Sequence, residues 1–270
     1  MPYYTPEQVE ASRRVLDKLL GIAPGAILIG GWGTWVRCHG PMSHDIDMII
    51  DRTDLAALAP VLDTAPSRNA RLGNKQSSEY RGVHVDIYLP YESVIGSRMQ
   101  LRAEALGRYP DTVDRYTVLT TEAQIVSKMA ALLDRPYTLK GQKDRHEIIA
   151  LFQAGADPAV VADIVAAASD TDIPTRLVAD AFDHLGEYEP LPGEGTWGTE
   201  DRRWLRDLRR AALPAATLSL DGGRADGTPA DQAVRLSPAT GRPDGASAPA
   251  PRLAMPLNPG RATPGPGFRL

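Results

Sequence analysis

The sequence predicts an α+β protein: a mixed-sheet half over residues 1–115, a helical half over residues 116–213, and a disordered tail over residues 214–270. Three observations predict it. Short apolar or alternating runs with strand periodicity recur as far as Tyr116–Leu119, and amphipathic helical runs fill the stretch after them. The last 57 residues, from Pro214, hold ten prolines and eight glycines without period, a composition that cannot bury enough apolar surface to fold alone.

Pro6 to Leu20 reads as a helix, with Thr5 as its cap and Pro6 at its first position. AILIGG, Ala26 to Gly31, is a short buried strand ending in a glycine turn. In DIDMIID, Asp45 to Asp51, alternation puts Ile46, Met48 and Ile50 on one face and Asp45, Asp47 and Ile49 on the other. A helix starts near Thr53, and Ser77 to Pro90 reads as one or two further strands. Within VHVDIYL, Val83, Val85 and Ile87 face one way and His84, Asp86 and Tyr88 the other. After YTVL, Thr121 caps the helix EAQIVSKMAALLDR. Lys143 to Gly155, Asp157 to Ser169, Pro174 to Leu185 and Glu200 to Leu213 follow as helices.

With 270 residues and 43% apolar content, the chain can hold one or two cores. One cysteine, Cys38, excludes a disulfide framework, suits a reducing compartment and is expected to be inert. The N-terminal stretch lacks the apolar core of a signal peptide, and no run reaches the ~18 apolar residues of a membrane span. A soluble, cytoplasmic protein is expected. The net charge is −4, so no global basic field draws nucleic acid in, and RNA contact must come from local patches. Arg68, Arg71, Lys75 and Arg81 form one candidate patch, with solubilising loop charge as the alternative. Arg202, Arg203, Arg206, Arg209 and Arg210 form another, for which an ordinary surface helix is the favoured reading.

The chemistry centres on the acids. Asp45 and Asp47, two apart on a strand, project from one face, and no adjacent Lys or Arg neutralises them. Carboxylates that close repel each other, and one takes up a proton unless a cation lies between them. Their counter-charge is expected to arrive with the substrate as Mg²⁺, which prefers a few carboxylates plus phosphate oxygens. Upstream, Gly30 and Gly31 leave backbone N–H groups bare for a triphosphate. Asp86 adds a third acid. Three acids from two strands suit two metal ions about 3.5–4 Å apart, with one acid free to take a proton from an attacking hydroxyl. The alternatives are an ordinary edge strand and a solvated sheet face carrying Asp86. Lys128 and Arg135, seven apart, share nearly the same helical stripe and would set cations over a triphosphate, unless that stripe is merely solvated.

Taken together, these residues resemble the nucleotidyltransferase superfamily of the polymerase β type: Gly30-Gly31, about a dozen residues, Ser43-His44-Asp45-Ile46-Asp47, then Asp86 on a later strand. IGGWGTWV…SHDIDMII is similar to two branches. Aminoglycoside and lincosamide nucleotidyltransferases carry GGW before the acids, and AbiEii-type toxins of toxin–antitoxin and abortive-infection systems carry GG…S-x-DID. Gly30-Gly31 stands where many members have Gly-Ser, and Ser43 is expected to supply the hydroxyl. AQIVSKMAALLDRPYTLKGQKDRHEIIAL looks like the Lys-x-x-Ala…Arg…Lys-Asp segment of the AbiEii type, with Glu147 where the family often has a second Asp. The resemblance covers roughly residues 26–155.

It implies an N-terminal nucleotidyltransferase domain whose nucleotide site the helical half completes. An NTP would bind with two Mg²⁺, an acceptor hydroxyl would attack the α-phosphorus, and pyrophosphate would leave. Asp45 and Asp47 are expected to hold both metals, and Asp86 to hold the catalytic one and help deprotonate the acceptor. Gly30, Gly31 and Ser43 would cradle the phosphates. Lys128, counted with the catalytic residues, would balance their charge with Lys143 and Arg135, and Asp144 would orient a base or a lysine. The implied acceptor is RNA, the tRNA 3′ end, with an antitoxin protein as partner. Adenylylation of an aminoglycoside or lincosamide is the second reading, and a non-catalytic nucleotide-binding protein of the same fold the third. Trp32 is expected to border the nucleotide, Trp35 to pack in the core, and His44 to point away from both acids.

Overall fold

The structure, a computed structural model, describes residues 4–69, 73–190 and 196–213. The tail from residue 214 and Arg71 lie outside the described residues. The chain runs α1 (Pro6–Ile22), β1 (Ile27–Ile29), α2 (Gly30–Cys38), β2 (Ile46–Ile49), α3 (Arg52–Leu58), β3 (Ser67–Asn69), β4 (Lys75–Tyr80) and β5 (Val83–Tyr88). A short pair, β6 (Val94–Ile95) and β7 (Leu101–Arg102), precedes α4 (Ala103–Leu106), β8 (Pro110–Val113) and β9 (Tyr116–Leu119). The helices α5 (Thr121–Asp134), α6 (Leu139–Gln153), α7 (Pro158–Ala168), α8 (Pro174–Leu185) and α9 (Thr199–Ala212) complete it. None is long and apolar enough to cross a membrane.

Seven strands form one mixed sheet in the order β3-β4-β5-β2-β1-β9-β8. The interior pairs β2·β5 and β1·β9 are parallel, and the others antiparallel. Strand alternation divides the core. Leu28, Ile46, Met48, Val85 and Ile87 pack with Leu16, Leu19 and Trp32 from α1 and α2. Ile29, Ile49, Tyr88 and Leu119 belong to a second core that includes Ile125, Met129, Ile148 and Leu151 from α5 and α6. The acidic residues of β2 and β5 alternate with the first set, so they lie on the face that α5 and α6 cover.

Local signals explain the helix starts. At α1, the Thr5 hydroxyl accepts from Gln8 N and the Gln8 side chain accepts from Thr5 N, a capping box. The cap of α5 is Thr120, one residue before the expected Thr121, because it is the Thr120 hydroxyl that reaches Ala123 N at 3.3 Å. The helix expected from Lys143 starts at Leu139, capped by Thr138, whose hydroxyl accepts from Gly141 N at 3.0 Å. A helix that the sequence did not announce is α2: its first turn is glycine-rich and has no side-chain cap. It forms where Trp32 and Val36, one turn apart, bury against the sheet.

That packing corrects the expectation that Trp32 borders the nucleotide: the side chain is only 1% exposed and lies in the core beneath the sheet. Its indole N–H donates to Ser12 Oγ at 2.9 Å, and the Ser12 hydroxyl donates to the His44 carbonyl at 2.6 Å. Trp35 is half-buried, edge-on to Trp32. Ser12 therefore struts α1, α2 and the segment entering β2 together. Ser12→Ala leaves the indole N–H and the His44 carbonyl without these partners, and is expected to cost about 1–3 kcal/mol. Thermal denaturation should show a Tm several degrees lower, and an unchanged Tm would remove the strut from the account.

Candidate active site

The parallel register of β2 and β5 sets Asp47 directly beside Asp86. Asp45 stands two residues earlier, just before β2, and all three acids line one cavity of about 460 Å³. At the cavity edge Gly30 opens α2 with φ +64°, and a Cβ at that position would collide with the Asp47 carboxylate. Glycine is needed there both for the left-handed backbone and for the close approach. Burial and then the neighbouring Asp86 charge push the Asp47 carboxyl above its ordinary value, the signature of a carboxylate held against a like charge.

The outer two acids, Asp45 and Asp86, are met by protein cations, which for Asp45 corrects the expectation that its counter-charge arrives with a substrate. The Lys75 ammonium, from β4, pairs with Asp86 Oδ2. Ser77 donates to Asp86 Oδ1 at 2.7 Å, and His84 Nε2 stands 3.0 Å from the same oxygen. On the other side Lys140 Nζ lies 3.0 Å from Asp45 Oδ2. Burial raises the Asp45 carboxyl, but the Lys140 hydrogen bond and charge outweigh it and hold the group below the ordinary value. His44 Nδ1 is 3.5 Å from Asp45 Oδ1, so His44 does not point away from the acids. It sits at the mouth of β2 rather than within a regular strand, where alternation would have turned it outward.

The facing wall comes from α5 and α6. Lys128 Nζ is 2.6 Å from Glu147 Oε2 and 3.5 Å from Asp144 Oδ1. Lys143 Nζ reaches Glu147 Oε1 at 2.8 Å, and the Arg135 guanidinium grips both Asp144 oxygens at 2.8 and 3.1 Å. Glu147 is fully buried. Burial raises its carboxyl, yet Lys128 and Lys143 overcome that and hold it below the ordinary value. Burial likewise lowers Lys128, and Glu147 and Asp144 reverse the shift, so its ammonium stays charged beside the acids. Gly31 faces this wall: a Cβ there would stand 2.5 Å from Ser43 Oγ and 2.9 Å from Lys143 Nζ. Ser43 itself donates to the Asp45 carbonyl at 3.1 Å, and Gln124 of α5 donates to the Gly30 carbonyl at 2.7 Å.

Gly30, Gly31, Ser43, Asp45, Asp47, Asp86, Lys128, Arg135, Lys143 and Asp144 thus all line the one cavity. Sequence reasoning missed Lys140, Tyr4 and His84, which line it too, and placed Lys75 in an external basic patch. Lys140 precedes Lys143 by one turn and shares its face, a signal hidden by starting the helix too late. Lys75 lies two residues before Ser77, which is paired across the ladder with Asp86, so alternation on β4 aims both at the acid. Of the remaining patch, Arg68 bonds Asn74 and Arg81 lies over the Tyr80 ring. On α9, Arg209 and Arg210 pair with Asp183 and Asp207, and Leu205 packs inward. Cys38 is half-buried, with its thiol 3.4 Å from the Thr34 carbonyl.

The donor chemistry fits a hard divalent cation: three carboxylates at one end of a sheet, two of them adjacent and like-charged. Among the described residues, no group of three or more His, Cys, Asp or Glu side chains is arranged as a ready ligand set, and the lysine pairings describe how the outer acids are turned instead. Electrostatics make two opposed predictions about the metal-free protein. Glu147→Gln leaves Lys128 and Lys143 buried with less compensation and is expected to destabilise by about 3–5 kcal/mol. Because the Glu147 carboxyl is held below its ordinary value, its contribution is present above about pH 4.3 and lost as pH falls through the lowered value. Asp47→Asn removes a like-charge repulsion and is expected to raise Tm by about 2–4 °C in EDTA. Equal destabilisation by both variants would refute this reading of the charges.

No family profile and no curated protein matches the chain. Among solved structures, the chain is similar to an antigenic nucleotidyltransferase-like protein from Paracoccidioides brasiliensis, at 11% identity and a TM-score of 0.41, over 80% of this chain and 98% of that one.

Proposed function

We propose that the protein is a nucleotidyltransferase that moves an NMP from an NTP to an acceptor hydroxyl. The observation that carries this reading is the pairing of an acid wall, Asp45, Asp47 and Asp86, with a buried cation wall, Lys128 and Lys143, across one cavity. The cavity's size is in the range of small-molecule and cofactor sites. Divalent cations held by the three carboxylates would neutralise the triphosphate and favour the alkoxide form of the acceptor. Gly30 and Gly31 offer backbone unobstructed by side chains, and Lys128 and Lys143 face the β- and γ-phosphates as fixed positive charge. As the acceptor oxygen bonds to the α-phosphorus and the α–β bridging bond breaks, the pyrophosphate carries off the electron pair. The acceptor proton passes to the Asp86 carboxylate, and His84, 3.0 Å away and partly exposed, provides its route to solvent. Catalysis on this scheme is positioning and electrostatics.

For the acceptor we favour an RNA 3′ end, the activity of a toxin with an antitoxin partner, on the strength of the Lys128…Arg135…Lys143-Asp144 segment. The acidic net charge of −4 favours the second reading, a small-molecule acceptor, because a negative body repels RNA. A non-catalytic nucleotide-binding role leaves three converging acids without a purpose. Incubation with labelled NTPs, Mg²⁺ and total tRNA is expected to label RNA, and Asp47→Ala to abolish labelling by at least about 10³-fold. Label on an aminoglycoside or lincosamide with none on RNA would establish the second reading. Absence of turnover on any acceptor, with nucleotide binding that survives Asp47→Ala, would establish the third.

A further inference from the structure

The cavity holds two kinds of lysine. Lys128 and Lys143 are almost wholly buried, and both pair with one carboxylate outside the acid wall, Glu147, one oxygen to each. Lys75 and Lys140 differ. Among the described residues their ion pairs are with the acid wall alone, Lys75 with Asp86 and Lys140 with Asp45. They come from opposite sides, β4 and the first turn of α6, and clamp the two outer acids. Asp47 lies between those acids.

We propose that Lys75 and Lys140 are stand-ins for divalent cations: they neutralise the acid wall of the metal-free protein and transfer to the phosphates of the incoming nucleotide when metal takes the carboxylates. The inference rests on the nucleotidyltransferase reading and adds two phosphate-binding residues to it. Its physical basis is the cost of stranding a charge. A cation drawn to Asp86 or Asp45 displaces an ammonium that has no second carboxylate partner. Lys75 in particular, with a side chain only 14% exposed, would be left unpaired in a poorly solvated cavity. A triphosphate supplies the missing anion. Metal without nucleotide therefore binds weakly, nucleotide without metal meets acids still occupied by lysines, and each raises the affinity of the other by the same factor. Lys140, more exposed and one turn from Lys143, has the freer path from carboxylate to phosphate.

The test is Mn²⁺ binding to the full chain, read by electron paramagnetic resonance of the free ion, in wild type, Lys75→Met and Lys140→Met. Methionine keeps the length of the side chain and removes its charge. Without nucleotide, both variants are expected to bind Mn²⁺ about tenfold more tightly than wild type, near the low end of coupling between linked sites. With Mn²⁺ present, each should bind non-hydrolysable triphosphate analogues, tried with all four bases, more weakly by a similar factor. Circular dichroism and Tm establish folding. Should Lys75→Met fail to fold, the more exposed Lys140→Met carries the test alone. Mn²⁺ affinity equal to or below wild type in the folded variants overturns the inference and leaves the proposed function standing. Absence of Mn²⁺ binding in every form, nucleotide included, overturns both.

Discussion

The constraint on which the rest of the site depends is the parallel register of β2 and β5, which fixes two aspartates side by side in a partly enclosed cavity. Directly opposed like charges on a sheet are unfavourable, and burial makes the repulsion worse. Nearly every polar contact around them reads as a response to that strain. Gly30 gives the Asp47 carboxylate room against bare backbone, Ser77 and Lys75 hold Asp86, and Lys140 holds Asp45. A fold seeking stability alone would place an apolar residue at one of the two positions. Keeping both gives up local stability, which is what the proposed function would require of this pair.

The cation wall answers at a distance. Glu147 and Asp144 fix the positions of Lys128, Lys143 and Arg135, so positive potential reaches the acids without neutralising them by contact. This is also a structural joint. Lys128 lies in the middle of α5 and Arg135 at its C-cap, and their partners belong to α6, so the ion cluster ties together the two helices that roof the sheet. Buried pairs of this kind add little net stability against an apolar replacement, but their directional bonds fix one arrangement of the roof over the strands.

Much of this was legible in the sequence. Period-2 alternation in DIDMIID and VHVDIYL assigned the apolar and acidic faces that the two cores display, the seven-residue spacing of Lys128 and Arg135 marked two cations that line the same cavity, and the family resemblance added Lys143 and Asp144. What was not legible required partners far apart in the chain. The helix α2 has a glycine-rich start that local propensity disfavours, and it exists because Trp32 and Val36 are buried by α1 and the sheet. The same packing turned Trp32 from the cavity into the core. Lys75 read as part of a loop patch and Lys140 carried no signal, since only the β4–β5 ladder and the early start of α6 bring them to the acids.

The order of the site's parts along the chain has a consequence for its making. Asp45, Asp47 and Asp86 leave the ribosome well before α6, which carries Lys140, Lys143 and Glu147. The strand that completes the middle of the sheet beside β1 is β9, also late. A growing chain thus displays Asp45 and Asp47 while the helix that carries Lys140, the partner of Asp45, is still being synthesised. Closure of the sheet and assembly of the charge cluster then become one late event rather than two. Chains cut short before α6 would keep Asp45, Asp47 and Asp86 together with Ser77 and Lys75, but would lose Lys140 and the Lys143 and Glu147 part of the cation wall, so incomplete products cannot form the whole site.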